Sequence, residues 1–188
     1  MINAGLKDLS FISDFDGLNI SAVAAVPSGN IYGVVQILHG MNEYKERYYD
    51  FMDYLAEQGF ISVIHDHRGH GHSIREEGDL GFMYENGGEG LVADIAQLNR
   101  IIHEEYTVLP CFMIGHSMGS IITRQFIAKY GDELAGAIIC GTVAPNVVPC
   151  EKGIALLKPL VDAGKGAESD PNMLATMLGG LFSRIEEV

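Results

Sequence analysis

The chain has 188 residues, 47% of them apolar and 20% charged, which suits one compact domain and argues against both disorder and two domains of ordinary size. A domain of this length buries roughly 70% of its unfolded surface, so it needs no disulfide or metal staple. Its 12 basic and 25 acidic side chains leave a net charge of −13, which repels nucleic-acid backbones and anionic membrane surfaces and favours a neutral partner.

The first seventeen residues include Lys7, Asp8, Asp14 and Asp16 and contain no apolar core of signal-peptide length. No stretch reaches the roughly 18 apolar residues that a membrane span requires. Cys111, Cys140 and Cys150 lack a Cys-x-x-Cys spacing, and two of them sit in apolar runs where buried thiols are common. A cytoplasmic protein without stable membrane insertion is the expectation.

Short β-branched runs alternate with amphipathic segments, the pattern of an α/β domain. Asn19–Val26 and Tyr32–Leu38 read as neighbouring strands joined by the turn Pro27-Ser28-Gly29-Asn30. Tyr48, Phe51, Met52 and Leu55 share one helical face, and Gly59 closes that helix. A short strand, Ile61–Ile64, leads to Asp66. Leu91, Ile95, Leu98 and Ile102 mark a second helix, and Cys111–Ile114 a buried strand. A third helix runs from about Met118 to Tyr130, followed by a strand at Ala137–Cys140. Beyond Thr142, Pro145, Pro149 and Pro159 break the pattern. Two apolar helical pieces remain, near Ile154–Val161 and Met173–Phe182, with a flexible Ala163–Gly166 between them.

Gly115-His116-Ser117-Met118-Gly119 matches Gly-x-Ser-x-Gly, a weak signal until its context is read. That context is a buried strand before the motif and a helix after it, so Ser117 projects from a tight strand-to-helix turn as a nucleophile must. Gly115 and Gly119 allow strand and helix to approach closely, and the helix N-terminus supplies free N–H groups to a developing oxyanion. The alternative is an ordinary serine N-cap with incidental glycines. His39-Gly40-Met41-Asn42 directly follows a strand, and such a loop can present a second backbone donor. The N–H groups of Met41 and Met118 form the candidate pair, with His39, Gly40 and His116 in support, although a His-Gly after a strand is also an ordinary loop.

These motifs, with Asp66-His67-Arg68-Gly69-His70-Gly71-His72-Ser73 between them, resemble the α/β-hydrolase superfamily. The most similar branch is the monoacylglycerol lipase, lysophospholipase and serine aminopeptidase group. Its His-Gly loop followed by Glu and Arg-Tyr matches His39, Gly40, Glu43, Arg47 and Tyr48, and its Asp-x-Arg-Gly-x-Gly-x-Ser loop matches Asp66, Arg68, Gly69, Gly71 and Ser73. The similarity runs from about Phe11 to Thr142. It implies a mostly parallel sheet flanked by helices, ending before the last two strands of that fold. It also implies a core over residues 1–144 and the beginning of a helical cap over 145–188. Leu156, Leu157, Leu160, Met173, Leu174, Met177 and Leu178 suit an acyl-accepting roof.

The resemblance implies ester hydrolysis through an acyl-enzyme, on monoacylglycerol, lysophospholipid or small esters, without a cofactor. In that group the acid and the base follow the serine, in that order. Here all seven histidines precede Ser117, and neither Asp162 nor Asp170 ends a recognisable strand. The acid and base are therefore expected beyond residue 188, and the sheet edge left open invites self-association. A catalytically incomplete binder of lipid or ester is the alternative. His65, His67, His70 and His72 raise a remoter one, a metal-dependent hydrolase, but Gly69 stands where the nearest metal motif needs Asp. His70 and His72 read as solvent-exposed loop residues that could substitute for the base, and His103 as a surface residue.

Overall fold

A computed structural model of the chain describes residues 4–142, 147–166 and 168. The chain divides into two compact units, Met1–Val143 and Ala144–Val188.

In the first unit the strands are β1 (Gly5–Asp8), β2 (Phe11–Ile12), β3 (Asn19–Ile20), β4 (Ala22–Val26), β5 (Gly33–Leu38), β6 (Phe60–His65), β7 (Cys111–His116) and β8 (Gly136–Cys140). The helices are α1 (Tyr49–Glu57), α2 (Gly87–Glu105) and α3 (Met118–Tyr130). A six-stranded sheet has the order β1-β4-β6-β5-β7-β8, and β2 with β3 forms a separate hairpin. β6, β5, β7 and β8 are parallel, with Val34 beside both Ile61 and Cys111, while β4 and β1 run antiparallel at one side. This is the α/β architecture that the alternating pattern predicts. Every residue of β5 is buried, as expected of a central parallel strand covered on both faces.

Alternation along the strands divides the core. Val35, Ile37 and Ile64 pack with Met52 of α1. On the other face Val34, Ile61 and Val63 meet Leu98 and Ile102 of α2. Leu38 and Met113 join Leu91, Ile95, Ile122 and Phe126 of α2 and α3. The predicted stripe of α2 is therefore its buried face, and α3 has the predicted limits.

Three expectations are corrected in this unit. Ser21 interrupts the strand expected over Asn19–Val26, and β1 and β2 form where no strand is expected. Second, β4 and β5 are not neighbours, because β6 lies between them and pairs with both. The link from Pro27 to Tyr32 reaches across two strand spacings, about 10 Å, well within the span of six residues. Third, Cys111 is buried but Cys140 is exposed. Cys140 ends β8, an edge strand on which Ile138 and Ile139 are also exposed.

The second unit contains α4 (Val147–Asp162). Pro149 and Pro159, expected to break the pattern, both lie within it. Pro149 occupies the first turn, where no N–H partner is needed, and Pro159 lies near the end. Lys158 and Asp162 form an i,i+4 ion pair, and Gly164 at φ +76° ends the helix. The expected helix at Met173–Phe182 lies outside the described residues, as do Met173, Leu174, Met177 and Leu178. No helix among the described residues is long and apolar enough to cross a membrane.

Candidate active site

The turn at Ser117 joins β7 to α3 in a space that only glycines fit. A Cβ at Gly115 would lie 2.2 Å from Thr123 Oγ1, and one at Gly119 2.2 Å from the Leu38 carbonyl oxygen. Ser117 itself adopts φ 51°, ψ −115°, a conformation that costs a non-glycine residue on the order of 1–3 kcal/mol. Its N–H donates to the Cys140 carbonyl at 2.9 Å, and its carbonyl accepts from the Ser120 N–H at 3.0 Å. Its hydroxyl makes no capping bond to α3, so Ser117 is not the ordinary N-cap of the alternative reading. The side chain is left at the end of the sheet while its backbone is fastened on both sides.

His39-Gly40-Met41 leaves β5 next to this turn. A Cβ at Gly40 would stand 3.2 Å from Ser117 Cβ, 3.3 Å from His116 Nδ1 and 2.8 Å from Glu43 Oε2. Loop and elbow thus meet at the Gly40 Cα. The Gly40 N–H donates to Glu43 Oε2 at 2.6 Å, and its carbonyl lies 2.7 Å from Nδ1 of the buried His39. Met41 follows on the exposed side, and Met118 opens α3, whose first N–H groups have no partner one turn earlier.

Sequence reasoning assigned no role to Glu43 beyond its match to the family pattern. Its Oε2 accepts from the Tyr48 hydroxyl at 2.8 Å and lies 3.2 Å from His116 Nδ1. Burial opposes its charge, yet the Gly40 N–H, the Tyr48 hydroxyl and His116 hold the carboxyl below its usual pKa. Burial and Glu43 together push the Tyr48 hydroxyl up. A family spacing identifies these residues; only the fold shows that they converge on one oxygen.

The loop after β6 is equally polar inside. Asp66 accepts from the Lys45 N–H and Nζ, both at 2.7 Å, and from the His72 N–H at 2.8 Å. Arg68 is fully buried, 2.9 Å from both Asp94 of α2 and Asp16 beyond β2. Such charges persist inside a protein because they are paired and hydrogen-bonded. His70, expected in solvent, is 5% exposed and sends Nδ1 to the Arg68 carbonyl, whereas His72 is exposed. The loop folds inward because its carbonyls and carboxylates are satisfied there. His103 is partly covered, with Nε2 3.1 Å from the Glu133 carbonyl.

His39, His65 and His67 are buried against one another. Among the described residues no three His, Cys, Asp or Glu side chains are arranged to hold a metal ion. A cavity of about 600 Å³ runs beside this region, bounded by Asn42, Glu43, Tyr44, His70, His72 and Leu80.

The parallel sheet, its antiparallel flank and the strand–turn–helix elbow are those of an α/β-hydrolase. Residues 29–171 match the family model described as "Serine aminopeptidase, S33", and the chain belongs to that family. Over 158 residues it is 27% identical to monoglyceride lipase of Rattus norvegicus, covering 84% of this chain and 50% of the relative. It is 28% identical to monoacylglycerol lipase of Mycolicibacterium smegmatis, covering 85% and 57% respectively. The structure of a thermostable carboxyl esterase from Bacillus coagulans superposes with TM-score 0.85 at 36% identity, over 98% of this chain and 59% of that one. The chain therefore spans about half the length of the relatives it matches.

Proposed function

We propose that the protein is a serine hydrolase of carboxylic esters and that Ser117 is its nucleophile. The observation that carries this reading is the backbone of Ser117, held at φ 51° between Gly115 and Gly119 and against Gly40. A strained, fastened serine without a capping bond is costly structurally and useful for attack on a carbonyl. In the proposed reaction Ser117 Oγ attacks the ester, and the N–H groups of Met41 and Met118 receive the oxyanion. Loss of the alcohol leaves an acyl-enzyme, which water then hydrolyses.

The acid and base are proposed to come from outside these 188 residues, on the family order in which both follow the serine; among the described residues no side chain hydrogen-bonds the Ser117 hydroxyl. Monoacylglycerol, lysophospholipid or a small ester is the proposed substrate, supported by the printed names of the relatives. Glu43, with the Tyr48 hydroxyl on its Oε2, places polar groups next to Gly40 and His116, which suits a hydroxylated leaving group. Residues 145–188 are the proposed cap, and the exposed Ile138 and Ile139 of β8 the proposed surface for self-association. The proposed location is the cytoplasm.

The test is hydrolysis of p-nitrophenyl butyrate, with Ser117→Ala as the blank. Turnover far above the blank supports the reading. Equal rates, with unchanged lipid binding in Ser117→Ala, favour the second reading, a catalytically incomplete lipid or ester binder. The observation that favours that reading is that, among the described residues, no side chain hydrogen-bonds the Ser117 hydroxyl.

A further inference from the structure

Four imidazoles lie buried where β5 and β6 end, and their hydrogen bonds permit one arrangement of protons. His67 Nε2 is 3.1 Å from the His39 carbonyl, which only accepts, so this nitrogen carries the hydrogen. In the neutral ring Nδ1 is then bare and accepts from His65 Nε2 at 3.1 Å. That leaves His65 Nδ1 as a bare nitrogen, and it is a buried atom without a partner. The His67 backbone N–H donates to His39 Nε2 at 3.0 Å, so His39 carries its hydrogen on Nδ1 and donates it to the Gly40 carbonyl. His70 points away, with Nδ1 on the Arg68 carbonyl.

The relay ends at a peptide that matters. With the Gly40 carbonyl held by His39 at 2.7 Å and, more loosely, by the Glu43 N–H at 3.3 Å, the trans Gly40–Met41 peptide must direct the Met41 N–H to the opposite side. The Glu43 carboxylate fixes the preceding His39–Gly40 peptide through the Gly40 N–H.

We propose that His67, acting through His39, is a positioning residue for the Met41 oxyanion donor, and that the loop keeps this orientation only while the relay is uncharged. The inference rests on the reading of Met41 as an oxyanion donor. A second proton on His39 would meet the His67 N–H, and one on His67 Nδ1 would meet the His65 N–H. The first replaces a hydrogen bond by two opposed donors, and the second does so as well or drives the His65 hydrogen onto Nδ1, which is buried without a partner among the described residues. The charged neighbours do not rescue a cationic ring. Asp66 is spent on Lys45 and the His72 N–H, Glu43 on Gly40, Tyr48 and His116, and Arg68 on Asp16 and Asp94. Burial likewise disfavours a charge on His39, His65 and His67.

The test begins with long-range ¹H–¹⁵N spectra of the histidines in the 188-residue chain, recorded from pH 8 to pH 5. The expected result is neutral His39 with hydrogen on Nδ1, and neutral His65 and His67 with hydrogen on Nε2. A His67 that carries its hydrogen on Nδ1, or that gains a proton near pH 6.5, overturns the proposal. Two variants then separate position from mere packing. His67→Phe removes the ring's hydrogen bonds, whereas His67→Gln keeps a donor for the His39 carbonyl. His67→Phe should shift the Gly40 and Met41 amide resonances and lower Ser117-dependent kcat about 10- to 100-fold at unchanged KM. His67→Gln should recover most of both. Unchanged Gly40 and Met41 resonances in folded His67→Phe overturn the relay. The tautomers and the Gly40 and Met41 resonances require no turnover, so they decide the relay in the 188-residue chain even with the proposed acid and base outside it, whereas the ester-hydrolase reading stands or falls on the Ser117→Ala comparison.

Discussion

The two halves of the candidate site are built by different physics. At the elbow, backbone meets backbone, and Gly115 and Gly119 are required because any Cβ would collide with Thr123 or Leu38. At the neighbouring loop, position depends on buried and half-buried polar groups from two stretches of chain, His39, Glu43 and Lys45 on one and Asp66 and His67 on the other. The elbow is a local steric solution that five residues encode. The loop is a distributed electrostatic one, which changes with charge.

The comparison is broken most severely by Gly119→Ala. Its Cβ would lie 2.2 Å from the Leu38 carbonyl oxygen and 2.7 Å from that of His39, and backbone on both sides cannot yield. A loss of at least about 3 kcal/mol in urea unfolding is expected. On the loop side, Asp66→Asn takes the buried one of two carboxylates from the Lys45 ammonium and leaves only the half-buried Glu46 at 3.0 Å, and about 3 kcal/mol is expected from the same measurement. Adding Lys45→Met should recover part of that loss, whereas no second-site change of charge will rescue Gly119→Ala.

Acid should also separate the two. His39 has its pKa lowered from 6.5 to about 4 by burial. Above pH 6.5 it is neutral in both folded and unfolded chains and costs nothing. Below pH 6.5 the unfolded chain takes up a proton that the fold refuses, so stability falls until about pH 4. The loss from His39 alone reaches about 3 kcal/mol, and His65 and His67 act in the same direction. Urea unfolding at pH 7.5, 6 and 5 measures it, and a flat profile would contradict the burial of these rings. The smallest effect is at the elbow. Ser117→Gly relieves φ 51° and should stabilise the fold by about 1 kcal/mol while removing the proposed nucleophile.

The same division explains what was legible beforehand. α3 follows from its place after the glycine motif, and α2 from the stripe Leu91, Ile95, Leu98 and Ile102, because both depend on near neighbours in the chain. β4 beside β5 was the wrong pairing. Turn residues signal a reversal but do not say whether a later strand will enter between, as β6 does. His70 was misjudged because a Gly-rich loop reads as solvent-exposed until Arg68, Asp16 and Asp94 are seen to draw it inward. Glu43 matches a family spacing, and Gly40 and Tyr48 are its near neighbours in the chain, yet its approach to His116 depends on an element 73 residues away.

The sequence by itself determined the α/β class, the helices, and the strand–turn–helix context of Ser117, since periodicity and glycine sterics act over a few residues. Only the tertiary structure decided the strand order, the burial of the histidines and the pairing of Asp66 with Lys45 and of Arg68 with Asp16 and Asp94. A buried polar group is stable only beside its partner, and for these groups the partner lies across the fold.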